Sequence, residues 1–191
     1  MVSKTKQIKN TVSGDLAGGD IDKSNHFNFN RNTKICSDIK ELYAKFQYEK
    51  ENNIVFKQII EELERYTTPK KDEKIIGLEA KLEAGNRESF IDYAIEQKHY
   101  YTKKLYEYQF YESAQNINIY LLGLIRMYFM NHVYPLILKG DNIESVNLIL
   151  DEKVVQPLLM EIDGNTLGFK PEDIMGMIYF LTGNCRIKWS K

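Results

Sequence analysis

Cysteine, histidine and proline are all scarce in this chain of 191 residues. The two cysteines, Cys36 and Cys185, lie far apart and form no CxxC pair, and the three histidines have no ligand spacing with them or with each other. We therefore expect no metal site, no cofactor and no disulfide framework. The simplest setting for two isolated cysteines is the reducing cytoplasm, with both as small core residues.

An excess of charge of either sign is also lacking. Lys and Arg together number 26 and Asp and Glu 27, which gives a formal net charge of −1. A chain with balanced charges has no overall positive potential to neutralise phosphates, so its net charge gives no reason to expect nucleic acid as a partner. Nucleic-acid binding is the alternative because of one stretch in which lysines alternate with tyrosines, as in surfaces on which bases stack. Glutamates in the same stretch offset the positive charge of the lysines. These lysines are Lys98, Lys103 and Lys104, and the glutamates are Glu96, Glu107 and Glu112.

The chain has no uninterrupted apolar run of membrane-spanning length. The longest apolar stretch, from Ile117 to Leu138, contains Arg126 and has Pro135 near its end. A membrane helix needs about 20 mostly apolar residues, and a central Arg costs it about 2.5 kcal/mol or more. We therefore predict a buried core helix and no membrane contact, with Arg126 in an ion pair with a buried carboxylate. The first residues also lack the apolar stretch of a secretory signal.

Motifs of familiar catalytic sites are missing as well. The sequence contains no GxSxG, no HExxH and no Cys close to a His. Its many acidic residues mostly have the spacing of a solvated helix face. We therefore predict no catalytic residues and a protein that is not an enzyme, with an enzyme of unfamiliar site as a remote alternative.

The composition changes sharply near residue 31. Residues 7–30 hold three of the eleven glycines and many Asn, Asp and Ser, whereas the chain from Cys36 onward is rich in Glu, Lys, Leu and Tyr with few helix breakers. The sequence therefore predicts a mainly α protein, an irregular helical bundle preceded by a short glycine-rich β segment. The corresponding domains are 1–30, for oligomerisation, and 31–191, the helical domain.

Capping residues and breakers divide the helical domain into segments. Asp38 and Glu41 resemble a capping box that opens the first helix. In the fourth predicted helix, Tyr93, Tyr100 and Phe110–Tyr111 lie close to helical spacing, so we expect most of them in the core or half-buried at its rim. The predicted helices cover 38–48, 54–66, 74–84, 88–113, 116 to a kink near Pro135, 143–162 with an interruption around Pro157, and 171–184.

The N-terminal segment contains a short internal repeat, in which Gly14-Asp15-Leu16 recurs as Gly19-Asp20-Ile21. Glycine permits tight corners and Asp can bond its own backbone, which fits one rung of a β structure. Such repeat units need roughly three or more stacked neighbours, so other copies of the chain or a partner would have to supply them. We predict a self-assembly motif, with a disordered tail as the alternative. Its residues are Gly14, Asp15, Leu16, Gly18, Gly19, Asp20 and Ile21.

The C-terminal run GMIYFLTGNCRIKW, residues 176–189, resembles the closing motif of helical domains in bacterial ABC-three-component systems. The run SGDLAGGD, residues 13–20, also resembles the glycine-aspartate motif found at the start of many proteins of such systems. The C-terminal motif is the more specific of the two. Relatives often carry His where this chain has Arg186, a position to which we assign no chemistry.

This resemblance implies an anti-phage or other conflict system, in which an ABC-type ATPase acts with a small middle component and an effector-associated protein. It implies a cytoplasmic, non-catalytic scaffold or adaptor that self-assembles and docks the ATPase and effector subunits. For the C-terminal motif we favour fold maintenance over direct partner contact, with Gly183 just past a helix end and Trp189 packing the tail onto the body. The motif residues are Gly176, Tyr179, Phe180, Leu181, Thr182, Gly183, Asn184, Cys185 and Trp189.

Overall fold

The computed structural model of the chain describes residues 35–70 and 74–191. These residues form α-helices joined by short turns and contain no strand, which confirms the mainly α prediction. The predicted β segment and the self-assembly residues Gly14 to Ile21 lie outside the described residues. The helices are α1 (Ile35–Glu51), α2 (Glu61–Thr67), α3 (Leu78–Glu83), α4 (Ile91–Glu107), α5 (Glu112–Tyr128), α6 (Tyr134–Lys139), α7 (Ile143–Leu150), α8 (Gln156–Glu161) and α9 (Pro171–Gly183).

Helix α5 lies at the centre of the fold, where it packs against α1, α2 and α9. Its side chains Ile117, Leu121, Leu122 and Ile125 are fully buried. Within the described residues the helical run Glu112–Lys139 is long and apolar enough to cross a membrane by length and composition, a test that a core helix also passes. In this fold the apolar face of α5 is covered by neighbouring helices.

Both interior prolines follow a single π-helical turn. The turn Phe129–Val133 precedes Pro135, and the turn Asp151–Val155 precedes Pro157. Proline has no N–H for the carbonyl four residues back, and its ring clashes with that carbonyl. A turn widened to an i→i+5 bond, as from the Tyr134 N–H to the Phe129 carbonyl, takes up this mismatch without ending the helix. The predicted interruption around Pro157 is therefore a widened turn within a continuing helix, and the same kind of turn lies at the kink predicted near Pro135.

The predicted helix over 54–66 is mostly wrong, because only its last turns are helical. Helix α2 begins at Glu61, and the preceding stretch uses its backbone for distant bonds. The Phe56 N–H donates to the Phe110 carbonyl at 2.7 Å, and the Ile60 N–H donates to Oε1 of Gln115 at 2.7 Å. These long-range partners replace helical hydrogen bonds, and local spacing gives no sign of them.

The predicted helix over 88–113 is in fact two helices. A short 3-10 turn, Glu88–Phe90, leads into α4, which ends at Glu107, and α5 begins at Glu112 instead of Asn116. The buried carboxylate of Glu49, on α1, accepts hydrogen bonds from both the backbone N–H and the hydroxyl of Ser113. An acidic group at this position satisfies a free N–H of the first turn of α5. Because the cap comes from another helix, the local sequence did not reveal this boundary.

The burial of the α4 tyrosines also differs from the prediction. Tyr101 is fully buried, and its hydroxyl donates to Oδ1 of Asn118 at 2.8 Å, whereas Tyr93 and Tyr100 are exposed. Burial raises the pKa of Tyr101 far above its usual value. The buried stripe runs instead through Ala94, Tyr101 and Leu105. Of the four residues expected in the core or at its rim, Tyr111 packs against the core, whereas Phe110 is exposed like Tyr93 and Tyr100.

Candidate functional site around the C-terminal motif

The N-terminus of α9 is fixed to α4 by one buried acid. Asp173 accepts a hydrogen bond from the Lys170 backbone N–H at 2.6 Å, and it also pairs with the Lys104 ammonium. Lys104 donates in addition to the Gly168 carbonyl at 2.8 Å. An acid in the first helical turn is favourable by itself, and the lysine extends this local cap into a contact between two helices.

Gly176 allows α9 to lie directly against α4. A Cβ atom at this position would be 2.6 Å from the Gln97 carbonyl oxygen and 2.7 Å from Cβ of Tyr101. Both are closer than atoms tolerate, and the first is a backbone atom that cannot rotate away. The glycine of the motif is therefore explained by helix packing.

The end of α9 is a Schellman motif, but its left-handed residue is not the one predicted. The Arg186 N–H donates to the Leu181 carbonyl at 2.8 Å, and the Cys185 N–H donates to the Thr182 carbonyl at 3.1 Å. Cys185 has a φ of 60°, so it occupies the position expected for Gly183. Gly183 is the last helical residue, and a Cβ there would be 2.7 Å from Nζ of Lys98.

Trp189 folds the tail back onto α9 and α5. Its indole Nε1 donates to the Thr182 hydroxyl oxygen at 3.0 Å, and its ring meets Phe129 edge to face with centroids 5.0 Å apart. A Cβ on Gly85 would be 2.7 Å from the Trp189 carbonyl oxygen. The tail is therefore held by an aromatic contact, a buried hydrogen bond and a close backbone approach.

Arg87, which is outside the motif, stacks on this tryptophan. Its guanidinium carbon is 4.4 Å from the Trp189 ring centroid, and Nη1 donates to Oδ1 of Asn147 at 2.7 Å. Arg87 is only 5% exposed, and no carboxylate of the described residues lies within ion-pair distance. Burial lowers its pKa, with a smaller opposing effect from Tyr179. The site therefore contains a buried positive charge that pairs with no carboxylate of residues 35–70 and 74–191.

A cavity of about 380 Å³ opens beside Arg87 and Trp189. Its lining is chiefly apolar and aromatic, with Asn147 and Asp151 as further polar residues. Burial raises the pKa of the lining residue Tyr179 to about 12, so its hydroxyl stays neutral at ordinary pH. The remaining lining residues are Leu82, Phe90, Tyr93, Leu150, Val155 and Met175.

A second group of arginines lies at the other side of the motif. The pKa of Arg186 is lowered by burial and by the nearby charges of Arg65 and Arg126. The Nε atoms of Arg126 and Arg186 are buried and have no hydrogen-bond partner among the described residues. The ion pair that we predicted for Arg126 is absent from the described part of the chain, because no carboxylate there lies within ion-pair distance of it.

The structure brings most of the C-terminal motif residues into one buried unit. Tyr179, Phe180 and Leu181 are buried in the core, and the Asn184 amide donates to the Tyr66 carbonyl at 3.1 Å. Sequence reasoning missed Arg87, which follows Gly85-Asn86 in a turn that carries no recognisable motif. Only its burial, which the sequence does not show, distinguishes Arg87 from an ordinary surface arginine.

A comparison with protein families assigns this fold to a class of helical C-terminal domains. Residues 77–189 match the family described as C-terminal domain 9 of the ABC-three component (ABC-3C) systems. The chain belongs to this family, which confirms the resemblance suggested by its C-terminal motif. Searches of curated proteins and of solved structures found no match.

Proposed function

We propose that this chain is a non-catalytic adaptor subunit of an anti-phage ABC-3C system. The family places the chain in a system of several components, which implies partner subunits. In the proposal the helical domain docks the ABC-type ATPase or effector subunit in the cytoplasm, and the N-terminal glycine-aspartate segment assembles copies of the chain.

The observation that supports docking is the number of exposed aromatic and aliphatic side chains on α4. Tyr100 is 54% exposed and Tyr106 is 56% exposed, although α4 buries its opposite stripe against the core. Tyr93 and Ile95 on the same helix are also exposed. Tyrosines are enriched among the residues that contribute most to binding energy, because each buries a large area with little loss of conformational entropy.

Co-expression with the ATPase and effector subunits of the same system tests this proposal. We expect the tagged chain to retain a partner subunit, and the double variant Tyr100→Ser/Tyr106→Ser to lose most of it. Tyr48→Ser is the matched control, because Tyr48 is 60% exposed but lies on α1. Absence of any complex with the unmodified chain would contradict the adaptor proposal. Full retention by the double variant would contradict only the choice of surface.

The arginine group gives a second candidate function, the binding of nucleic acid. Burial and the nearby charges of Arg65 and Arg126 lower the pKa of Arg186, and none of the three arginines pairs with a carboxylate of the described residues. Such a group can neutralise phosphates even in a chain of net charge −1. Nucleic-acid binding would then be local and strongly dependent on salt.

Fluorescence anisotropy of labelled DNA and RNA at low and moderate salt tests this candidate. Phosphate contacts predict that affinity falls with added salt and that Arg126→Gln/Arg186→Gln reduces both the affinity and the salt dependence. Lys153→Gln is the control, because it removes a surface charge that already pairs with Glu152. Binding that these arginine changes leave intact would rule out the group as the contact site.

A further inference from the structure

The cavity beside Arg87 has the size and walls of a small-molecule site. Its volume of about 380 Å³ lies within the usual range of ligand pockets, roughly 300–1,000 Å³. Four aromatic residues line it, and two of them, Tyr93 and Tyr179, meet edge to face with centroids 6.1 Å apart. Flat apolar walls of this kind favour an aromatic or aliphatic body over a hydrated one.

Arg87 supplies the polar end of this cavity. The guanidinium has five N–H donors in a rigid fork, and Asn147 is the only hydrogen-bond acceptor that the described residues offer it. Its contact with the Trp189 ring at 4.4 Å and its hydrogen bond to Asn147 restrict the movement of the guanidinium before any ligand arrives. A carboxylate matches this fork with two parallel hydrogen bonds, and it would compensate a charge that the fold leaves unpaired.

The other polar groups of the lining limit the charge of the ligand. Asp151 also lines the cavity, so a second negative charge on the ligand would be repelled. Tyr179 is neutral at ordinary pH and adds no positive charge. Because Asp151 is exposed, solvent weakens its repulsion of a first negative charge, which the buried Arg87 offsets. A phosphate dianion or a polyanion would exceed the one cation of the lining.

We propose that this cavity binds a small monocarboxylic acid with an aromatic or aliphatic body, and that Arg87 holds the carboxylate. The apolar body would lie among Phe90, Tyr93, Tyr179 and Trp189. A ligand there would contact α4, α7 and α9 together, because Tyr93, Asn147 and Tyr179 of the lining lie on these three helices. The cavity includes Tyr93 but neither Tyr100 nor Tyr106, the two tyrosines changed in the docking test, so each proposal can fail without the other.

The intrinsic fluorescence of the protein provides a direct test. Trp189 is the only tryptophan of the chain and lines the cavity, so its emission reports on occupancy. Phenylpropionate and its neutral amide, phenylpropionamide, are titrated into the full chain. We expect the acid to cause a saturable change in tryptophan emission. The amide should bind about tenfold more weakly or worse, because it loses one charge-assisted contact.

Variants assign the preference for the acid to Arg87. Arg87→Met keeps much of the apolar length of the side chain and removes its charge, so this variant should bind acid and amide alike. Lys57→Gln is the control, because it removes an exposed lysine outside the cavity and should leave the preference for the acid unchanged. Three results would overturn the proposal: equal binding of acid and amide by the unmodified chain, a preference for the acid that survives in Arg87→Met, or no saturable change with either compound at millimolar concentration. The comparison of acid with amide remains decisive if Arg87→Met does not fold.

Discussion

Two helix-interior glycines, Gly123 and Gly176, have opposite surroundings. A Cβ on Gly123 would have its nearest neighbour, the Tyr66 hydroxyl, at 3.5 Å, which is an ordinary contact. A Cβ on Gly176 would lie 2.6 Å from the Gln97 carbonyl oxygen. The same substitution therefore tests backbone entropy at one site and helix packing at the other.

We predict that Gly176→Ala destabilises the domain and that Gly123→Ala stabilises it. The first change forces α9 away from α4, at a cost of about 1–3 kcal/mol for overpacking. The second removes the entropic cost of glycine in a helix, roughly 0.5–1 kcal/mol. Urea unfolding followed by circular dichroism measures both. Equal stability of the unmodified chain and Gly176→Ala would show that the two helices are not in the contact described.

Arginine residues show how a residue's role depends on its surroundings. Arg126 is conspicuous in the sequence because it interrupts an apolar helix, and the ion pair predicted from that position is absent among the described residues. Arg87 is inconspicuous in the sequence, yet it is the arginine that stacks on Trp189. The sequence identified a polar residue in an apolar run, but partners are set by chain segments that are distant in sequence.

At the scale of elements, α9 and the C-terminal tail form one unit. The Thr182 hydroxyl donates to the Ile178 carbonyl at 2.9 Å and accepts from the Trp189 indole at 3.0 Å. Both residues are buried, so water cannot replace this acceptor. One hydroxyl therefore connects the helix to the tail that follows it.

We predict that Thr182→Val destabilises the domain by about 1–3 kcal/mol, the cost of leaving a buried indole N–H without a partner. Valine has nearly the shape of threonine, so packing is preserved while the acceptor is lost. Thr182→Ser is the control, since it keeps the hydroxyl and loses one methyl group. Thermal unfolding should therefore rank Val below Ser. The reverse order would mean that the methyl group, and not the hydrogen bond, holds the tail.

Helix boundaries were predicted well where a breaker lies in the sequence and poorly where it does not. Proline at 135, 157 and 171 correctly located two irregular turns and the start of α9. The break between α4 and α5 depends on Glu49 from α1, and the non-helical stretch before α2 depends on Gln115 from α5. Boundaries made by distant side chains have no local signal.

At the scale of the whole molecule, the role of residues 1–30 in self-assembly remains a prediction. Light scattering after size-exclusion chromatography of the full chain and of a version beginning at Arg31 tests it. We expect a defined oligomer from the full chain and a folded monomer from the shorter one.

Substitution of Gly14, Asp15, Gly19 and Asp20 should likewise dissociate the oligomer into monomers that keep the helical circular dichroism signal. If both versions are monomers, the N-terminal segment does not assemble this chain by itself. If the substitutions remove the helical signal, the segment is needed for folding, and its assignment to assembly is wrong.

The sequence by itself determined the helical class, the irregular turns at the prolines and, through its C-terminal motif, the family. These features depend on local backbone chemistry and on a contiguous run of residues, so the order of amino acids is sufficient to specify them. Tertiary structure alone decided which tyrosine of α4 is buried, why Gly176 is a glycine and where Arg87 lies. Each of these depends on segments far apart in the chain, and their distances are set only when the helices pack.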